Sequence, residues 1–262
     1  MPFTLAHPAA VIPLQRVLGR AGVPSALVVG SMSPDLVYFL PLGIDRAASH
    51  SLAGLFWCCV PLGLVGYVLF HVLWRPLGPY LLPRPLSARL PRPPGPSRLP
   101  AVPLWAVLVS LTVGAATHLL WDAFTHGNGF VVEMSPALRT LLWEVRGYRV
   151  FVYKVLQHGS TLIGFSLLAY WGWQWFSTTG VHHEPCGWQP SATVRALALL
   201  VILAAPVLGG LISGILHTGD ATGMRALQQF VRHGIITALS IFGTVLLGFG
   251  VVWRLWEARR AS

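Results

Sequence analysis

Five runs of mostly apolar residues, 52–74, 101–121, 150–176, 194–216 and 235–256, constrain this chain more than any other feature. Each reaches the roughly 20 residues that a helix needs to cross the hydrocarbon core of a bilayer, at about 1.5 Å of rise per residue. Tryptophan stands near at least one end of each run, where an aromatic belt meets the headgroups. The expected fold class is all-α: a polytopic helical membrane protein with about five transmembrane helices in a single integral domain. The charge content agrees. Only 10% of the 262 residues are Asp, Glu, Lys or Arg, against about 25% in a soluble domain. That is too little to cover a globule in water, which excludes a soluble enzyme as well as a disordered chain.

The first fifty residues follow a different rule. Residues 5–19 can form a short helix interrupted by Pro8 and Pro13, and residues 23–42 are apolar but carry Pro24, Pro34, Asp35 and Pro41. Irregular backbone of this kind is tolerated at membrane depth only where it packs against protein, so a short-helix or re-entrant segment is expected. The N-terminus has no basic n-region, the first arginine being Arg16, and does not read as a signal peptide.

The net charge of +10 comes from 18 basic and 8 acidic residues. In a soluble protein that excess would suggest nucleic acid; here the arginines lie between apolar runs, as membrane anchoring requires, so lipids are the expected partner. Residues 75–100 are rich in proline, with Arg75, Arg84, Arg89, Arg92 and Arg98 and no acid, and read as an extended, exposed linker. With the basic tail (Arg254, Arg259, Arg260) they are expected on the cytoplasmic side. Cys58, Cys59 and Cys186 form neither a disulfide framework nor a zinc knuckle.

Polar residues are scarce enough that their positions carry information. His118, Asp122 and His126 are spaced i, i+4, i+8 and lie on one stripe of the second run. Asp122 could bridge two ions, which in two-metal sites lie about 3.5–4 Å apart. By the count of crossings, His7, Asp35, His50 and His158 approach the same face as Asp122 and His126. Imidazole and carboxylate are the usual ligands of zinc and related ions, and ionisable groups at membrane depth mark function. His71, His182 and His183 read as packing or interfacial residues. His217, Asp220, Arg232 and His233 read as an ordinary polar loop.

The motifs Pro2-Phe3-Thr4-Leu5-Ala6-His7-Pro8-Ala9, Gly30 to Asp35, Tyr38-Phe39, Ser49-His50-Ser51, His118 to Gly129 and Gln157 to Thr161 resemble, in this order, a bacterial family of polytopic membrane proteins of unknown function. More distantly, the order of these motifs is similar to inner-membrane metal-dependent hydrolases and the zinc-dependent phospholipase C group. That resemblance implies Asp35, His50, His118 and Asp122 as metal ligands, with His7 joining them, in the bacterial inner membrane. The soluble group uses an N-terminal tryptophan amine and a distal HxxxE; residue 1 here is Met and no HxxxE occurs. One or two ions are therefore expected rather than three.

The expected activity is a membrane-embedded, metal-dependent hydrolase with one or two divalent ions, most simply zinc, held by His7, Asp35, His50, His118, Asp122 and His126. Asp35 or His158 would handle the proton, and a phosphoester or lipid-linked substrate would meet Arg139, Arg146 and Arg149. The alternatives are a metal-ion or small-solute transporter, against which the absence of an inverted repeat argues, and a non-catalytic scaffold.

Overall fold

The computed structural model describes residues 4–38, 43–90, 99–145, 147–181 and 190–261. Helix dominates. Four helical stretches, Leu52–Leu81, Leu104–Met134, Ala192–Thr218 and Gly223–Arg259, are long and apolar enough to cross a membrane. We label the principal helices α1 (Pro24–Met32), α2 (Leu52–Leu81), α3 (Leu104–Thr125), α4 (Val152–Thr178), α5 (Ala192–Thr218) and α6 (Gly223–Ala261). The expected run at 150–176 does form α4, which at 27 residues has the length of a span. Its first turns carry Lys154, Gln157 and His158, and it is not among the four sufficiently apolar helices. Four is thus the supported number of candidate spans among the described residues.

Three local expectations change. Residues 75–81, expected to open an extended linker, continue α2, with Pro76, Leu77 and Pro79 buried; residues 84–87 add one more helical turn, and 91–98 lie outside the described residues. Residues 223–234, expected in a polar loop, already belong to α6. The all-α expectation also missed a β-hairpin, β1 (Leu141–Val145) with β2 (Tyr148–Phe151), in antiparallel register Val145↔Tyr148, Glu144↔Arg149 and Trp143↔Val150. Gly147 in the turn has φ 78°, which costs a glycine little.

The prolines explain how α2 continues. A helical proline removes its own N–H and crowds the carbonyl four residues earlier. For Pro61 and Pro76 those carbonyls belong to Trp57 and Val72. Both fall inside π-type turns, Leu55–Cys59 and Phe70–Trp74, where the wider winding makes room for the ring.

The chain groups into two compact units. One comprises residues 1–67 and 101–174, the other 68–100 and 175–262. The first unit is centred on α1 against α3. Built on Gly30, a Cβ would lie 2.5 Å from the Leu111 carbonyl oxygen, and one on Gly114 would strike the Leu27 carbonyl; only glycine lets these backbones approach so closely. The Ser110 hydroxyl fastens the start of α1, accepting from the Val23 N–H at 2.9 Å and donating to the Ala21 carbonyl at 2.7 Å. Ahead of it the chain makes short turns, Pro8–Val11 and Leu14–Leu18, broken at the expected prolines. In the second unit α5 and α6 pack along their lengths, again through glycine: a Cβ on Gly210 would lie 2.7 Å from the Gly234 carbonyl oxygen.

Candidate metal centre

The close packing of α1 on α3 places His118 under the end of α1. The last carbonyls of a helix lack partners within it, and the His118 Nδ1–H donates to one of them, Ser31 O, at 2.7 Å. That bond leaves the Nε2 lone pair of His118 as its only free ligand position, the usual arrangement behind a metal-binding histidine. One turn on, Asp122 is buried on the same stripe. From the segment after α1, Asp35 enters with Oδ2 held by the Thr4 hydroxyl at 2.6 Å, so that Oδ1 faces the histidines. His50 ends the short helix Arg46–Ser49, its Nδ1 3.2 Å from the Arg46 carbonyl and 2.9 Å from the Ser49 hydroxyl.

Four atoms from these residues converge. His50 Nε2 lies 3.4 Å from both Asp35 Oδ1 and Asp122 Oδ2. His118 Nε2 lies 3.7 Å from Asp35 Oδ1 and 3.6 Å from Asp122 Oδ2. These separations exceed a hydrogen bond and are too short to admit a water between the groups. The two 3.4 Å separations are close to the edge between two ligands of a tetrahedral ion, about 3.3–3.4 Å when the bonds are about 2.0–2.1 Å, and the other two are somewhat longer. His7 stacks on His118 with ring centroids 3.7 Å apart and brings Nε2 to 3.8 Å from Asp122 Oδ1. Two triads could hold an ion, His7–His118–Asp122 and Asp35–His50–His118. Because His118 has one free lone pair, both draw on a single position.

Seven buried atoms of this cluster have no hydrogen-bond partner: both ring nitrogens of His7, Nε2 of His50, His118 and His126, Oδ1 of Asp35 and Oδ1 of Asp122. Each such atom costs about 1–3 kcal/mol when nothing satisfies it. Those in the two triads lie close enough together for a cation to satisfy several at once.

Charge states at the residues outside the spans follow from the same arrangement. Burial, then the neighbouring His118, pushes the His7 imidazole down to about 3, so at neutral pH it is uncharged and one of its ring nitrogens keeps a lone pair. Burial opposes ionisation of Asp35, but His50, His118 and Thr4 outweigh it and hold the carboxyl below its usual value. His50 is pulled down by burial and up, more strongly, by the Asp122 and Asp35 carboxylates, leaving it above its usual value.

The structure therefore brings together His7, Asp35, His50, His118, Asp122 and His126. His126 is peripheral, with Nδ1 3.2 Å from Asp122 Oδ1 and outside both triads. His158 does not join: it is exposed on α4, and the buried member of that motif is Gln157. Trp121, whose ring edge meets His7, donates to the Ser160 hydroxyl at 2.9 Å. Arg139 is exposed and reaches the Gly127 carbonyl at 3.4 Å, Arg149 pairs with Glu144 at 3.1 Å, and Arg146 lies outside the described residues. So do His182, His183, Cys186, Arg92 and Arg98, and the motif residues Pro2, Phe3 and Phe39. His71 is buried beside Phe70. Cys58 and Cys59 are buried free thiols.

Sequence reasoning missed Arg46. Its Nη2 donates to Asp122 Oδ2 at 2.6 Å, as short as the Thr4–Asp35 bond. An Asp-Arg pair just before a Ser-His-Ser motif carries no periodic signal that separates it from a solvated loop.

The chain belongs to the family described as a domain of unknown function (DUF4184), whose model matches residues 1–252. No curated protein and no solved structure matches it.

Proposed function

We propose that this member of a family without an assigned activity is a membrane-embedded, metal-dependent hydrolase with one zinc-like divalent ion, residing in the bacterial inner membrane. The observation that carries the proposal is the set of three unsatisfied ligand atoms, His50 Nε2, His118 Nε2 and Asp35 Oδ1, with Asp122 Oδ2 beside them at 3.4–3.6 Å from the two imidazoles. Asp35, His50 and His118 supply two imidazoles and a carboxylate, the donor set of several catalytic zinc sites, which keep a fourth position open. A divalent ion held by these residues would supply an acidified water and a Lewis acid for a scissile phosphoryl or acyl oxygen.

The chain's own residues divide the remaining work. Asp122 lies beside His50 and His118 with Oδ2 fixed by Arg46, where it would take the proton from an attacking water. His7 covers the His118 ring and, being neutral, adds no charge that would repel a cation. Burial of the whole group excludes bulk water and strengthens each electrostatic contact. The position of His118 and Asp122 on a candidate span favours an amphiphilic or lipid-linked substrate.

Detergent-purified wild type, His118→Ala and Asp122→Asn, assayed for metal content and for phosphodiester and phospholipid hydrolysis, test this. Wild type should hold close to one equivalent of metal, His118→Ala none, and Asp122→Asn should keep metal while losing hydrolysis. Equal and negligible metal in all three would refute the proposal. Metal without hydrolysis, in wild type as in Asp122→Asn, would identify a structural or transport site instead.

A further inference from the structure

We infer that Arg46 is the anion-binding residue of this site and that the substrate presents a phosphoryl group to it; this deepens the metal-dependent hydrolase reading and rests on it. Three observations lead there. The first is exposure. Side chains of His7, Asp35, His118, Asp122 and His50 are 8% exposed or less, whereas that of Arg46 is 25% exposed. Arg46 therefore marks where the cluster opens.

The second is donor count. A guanidinium offers five N–H donors in a planar fork. Arg46 commits Nη2 to Asp122 Oδ2 at 2.6 Å, while its Nε is buried without a hydrogen-bond partner. Among the described residues nothing accepts from that N–H. An oxyanion with several acceptor oxygens would, and phosphate matches the guanidinium fork in pairs.

The third is charge. Asp35 and Asp122 carry two negative charges, and the four imidazoles carry none when they act as ligands. One divalent ion balances the two carboxylates, and Arg46 leaves one positive charge in a site sheltered from water. Such a surplus favours an anionic group and gives no advantage to an uncharged ester or amide. A lysine would satisfy the charge but not the fork.

The test uses zinc-loaded, detergent-purified protein and two probes, inorganic phosphate and nanodiscs of phosphatidylcholine with or without phosphatidic acid. Binding is measured for wild type, Arg46→Gln and Arg46→Lys, and metal content is measured on the same samples. Wild type should bind phosphate, and Arg46→Gln should bind it about 10–100-fold more weakly at unchanged metal content, because hydrogen bonds to a charged group are lost. Arg46→Lys should fall between them, which also guards against a folding defect in the glutamine variant. Preference for phosphatidic acid discs over free phosphate would identify the source as a lipid headgroup; equal response would identify a soluble phosphate ester. Phosphate affinity unchanged in Arg46→Gln at full metal occupancy overturns the inference alone. Loss of metal in Arg46→Gln also overturns it, by making Arg46 a prop for Asp122. Wild type without metal instead defeats the underlying hydrolase reading, and this inference with it.

Discussion

Both compact units use glycine to bring helix backbones together, yet they do different things with the closeness. In the first, Gly30 and Gly114 draw α1 onto α3, and the helix end delivered there orients a buried histidine through Ser31 O. In the second, Gly210 and Gly214 draw α5 onto α6, and the histidines of that hairpin stay ordinary. His217 is exposed, its Nδ1 is 2.8 Å from Ser213 O, and its ring stacks on His233 at 4.4 Å. Histidine content is thus a poor guide to chemistry in an apolar chain. What separates the units is whether ligand atoms are buried, unpartnered and convergent. Metal binding breaks or sharpens this contrast most. Replacing Asp35 or His50 by Ala should weaken metal affinity by more than the roughly 10–100-fold that loss of a supporting partner costs. His217→Ala and His233→Ala should leave it within about twofold. Isothermal titration with zinc on each variant decides; equal losses in both units would erase the distinction.

The next effect is on packing. Gly114→Val pushes a side chain into the Leu27 carbonyl, where only backbone can yield, and overpacking of this kind costs about 1–3 kcal/mol or more. Gly243 on α6 has nothing within 4 Å of a built Cβ. Gly243→Ala should therefore be neutral or stabilising by up to about 1 kcal/mol, from helix propensity. Thermal melts in detergent should show a lowered midpoint for the first and no loss for the second. Because His118 lies one turn from Gly114, the first variant should lose metal as well, though no ligand has been touched.

Much of this was legible in the chain, and the gaps have physical causes. The i, i+4 step from His118 to Asp122 survives as spacing because a helix keeps both on one stripe. Asp35 and His50 came from the count of crossings and from motif resemblance rather than from periodicity, since a 3-10 turn (Ser33–Tyr38) and a four-residue helix hold them. The helix through residues 75–81 was hidden by its prolines, because π-type winding lets α2 tolerate what would otherwise end it. The hairpin was missed because Leu141–Val145 is an unbroken apolar run apart from Glu144, with no clean alternation to betray a strand. Arg46 left no trace because its role depends on a partner, Asp122, that is 76 residues away.

A smaller effect concerns how α1 is fastened. Ser110→Ala removes the hydroxyl between the Val23 N–H and the Ala21 carbonyl and leaves the buried Val23 donor unpaired. The expected cost is about 1–3 kcal/mol, read as earlier unfolding with metal stoichiometry intact. A stoichiometry that falls in parallel would mean that the α1 end is less rigidly held than its contact with His118 implies.

The smallest effect should come from His158, and it separates sequence order from helical phase. Gln157 and His158 are adjacent in one motif, but successive residues on a helix point about 100° apart. Gln157 is buried and His158 exposed. A turn back toward the helix start, Tyr153 faces Gly127; a turn ahead, Ser160 receives the Trp121 indole N–H. The side of α4 that carries Gln157 therefore contributes to the wall behind His7, while His158 lies off it. His158→Ala should leave metal affinity, phosphate binding and melting temperature unchanged. Gln157→Ala should lower stability by roughly 1–3 kcal/mol through an opened, poorly packed wall. A His158→Ala variant that kept its metal but lost hydrolysis would restore that residue as a proton carrier and show that α4 rotates when substrate is bound.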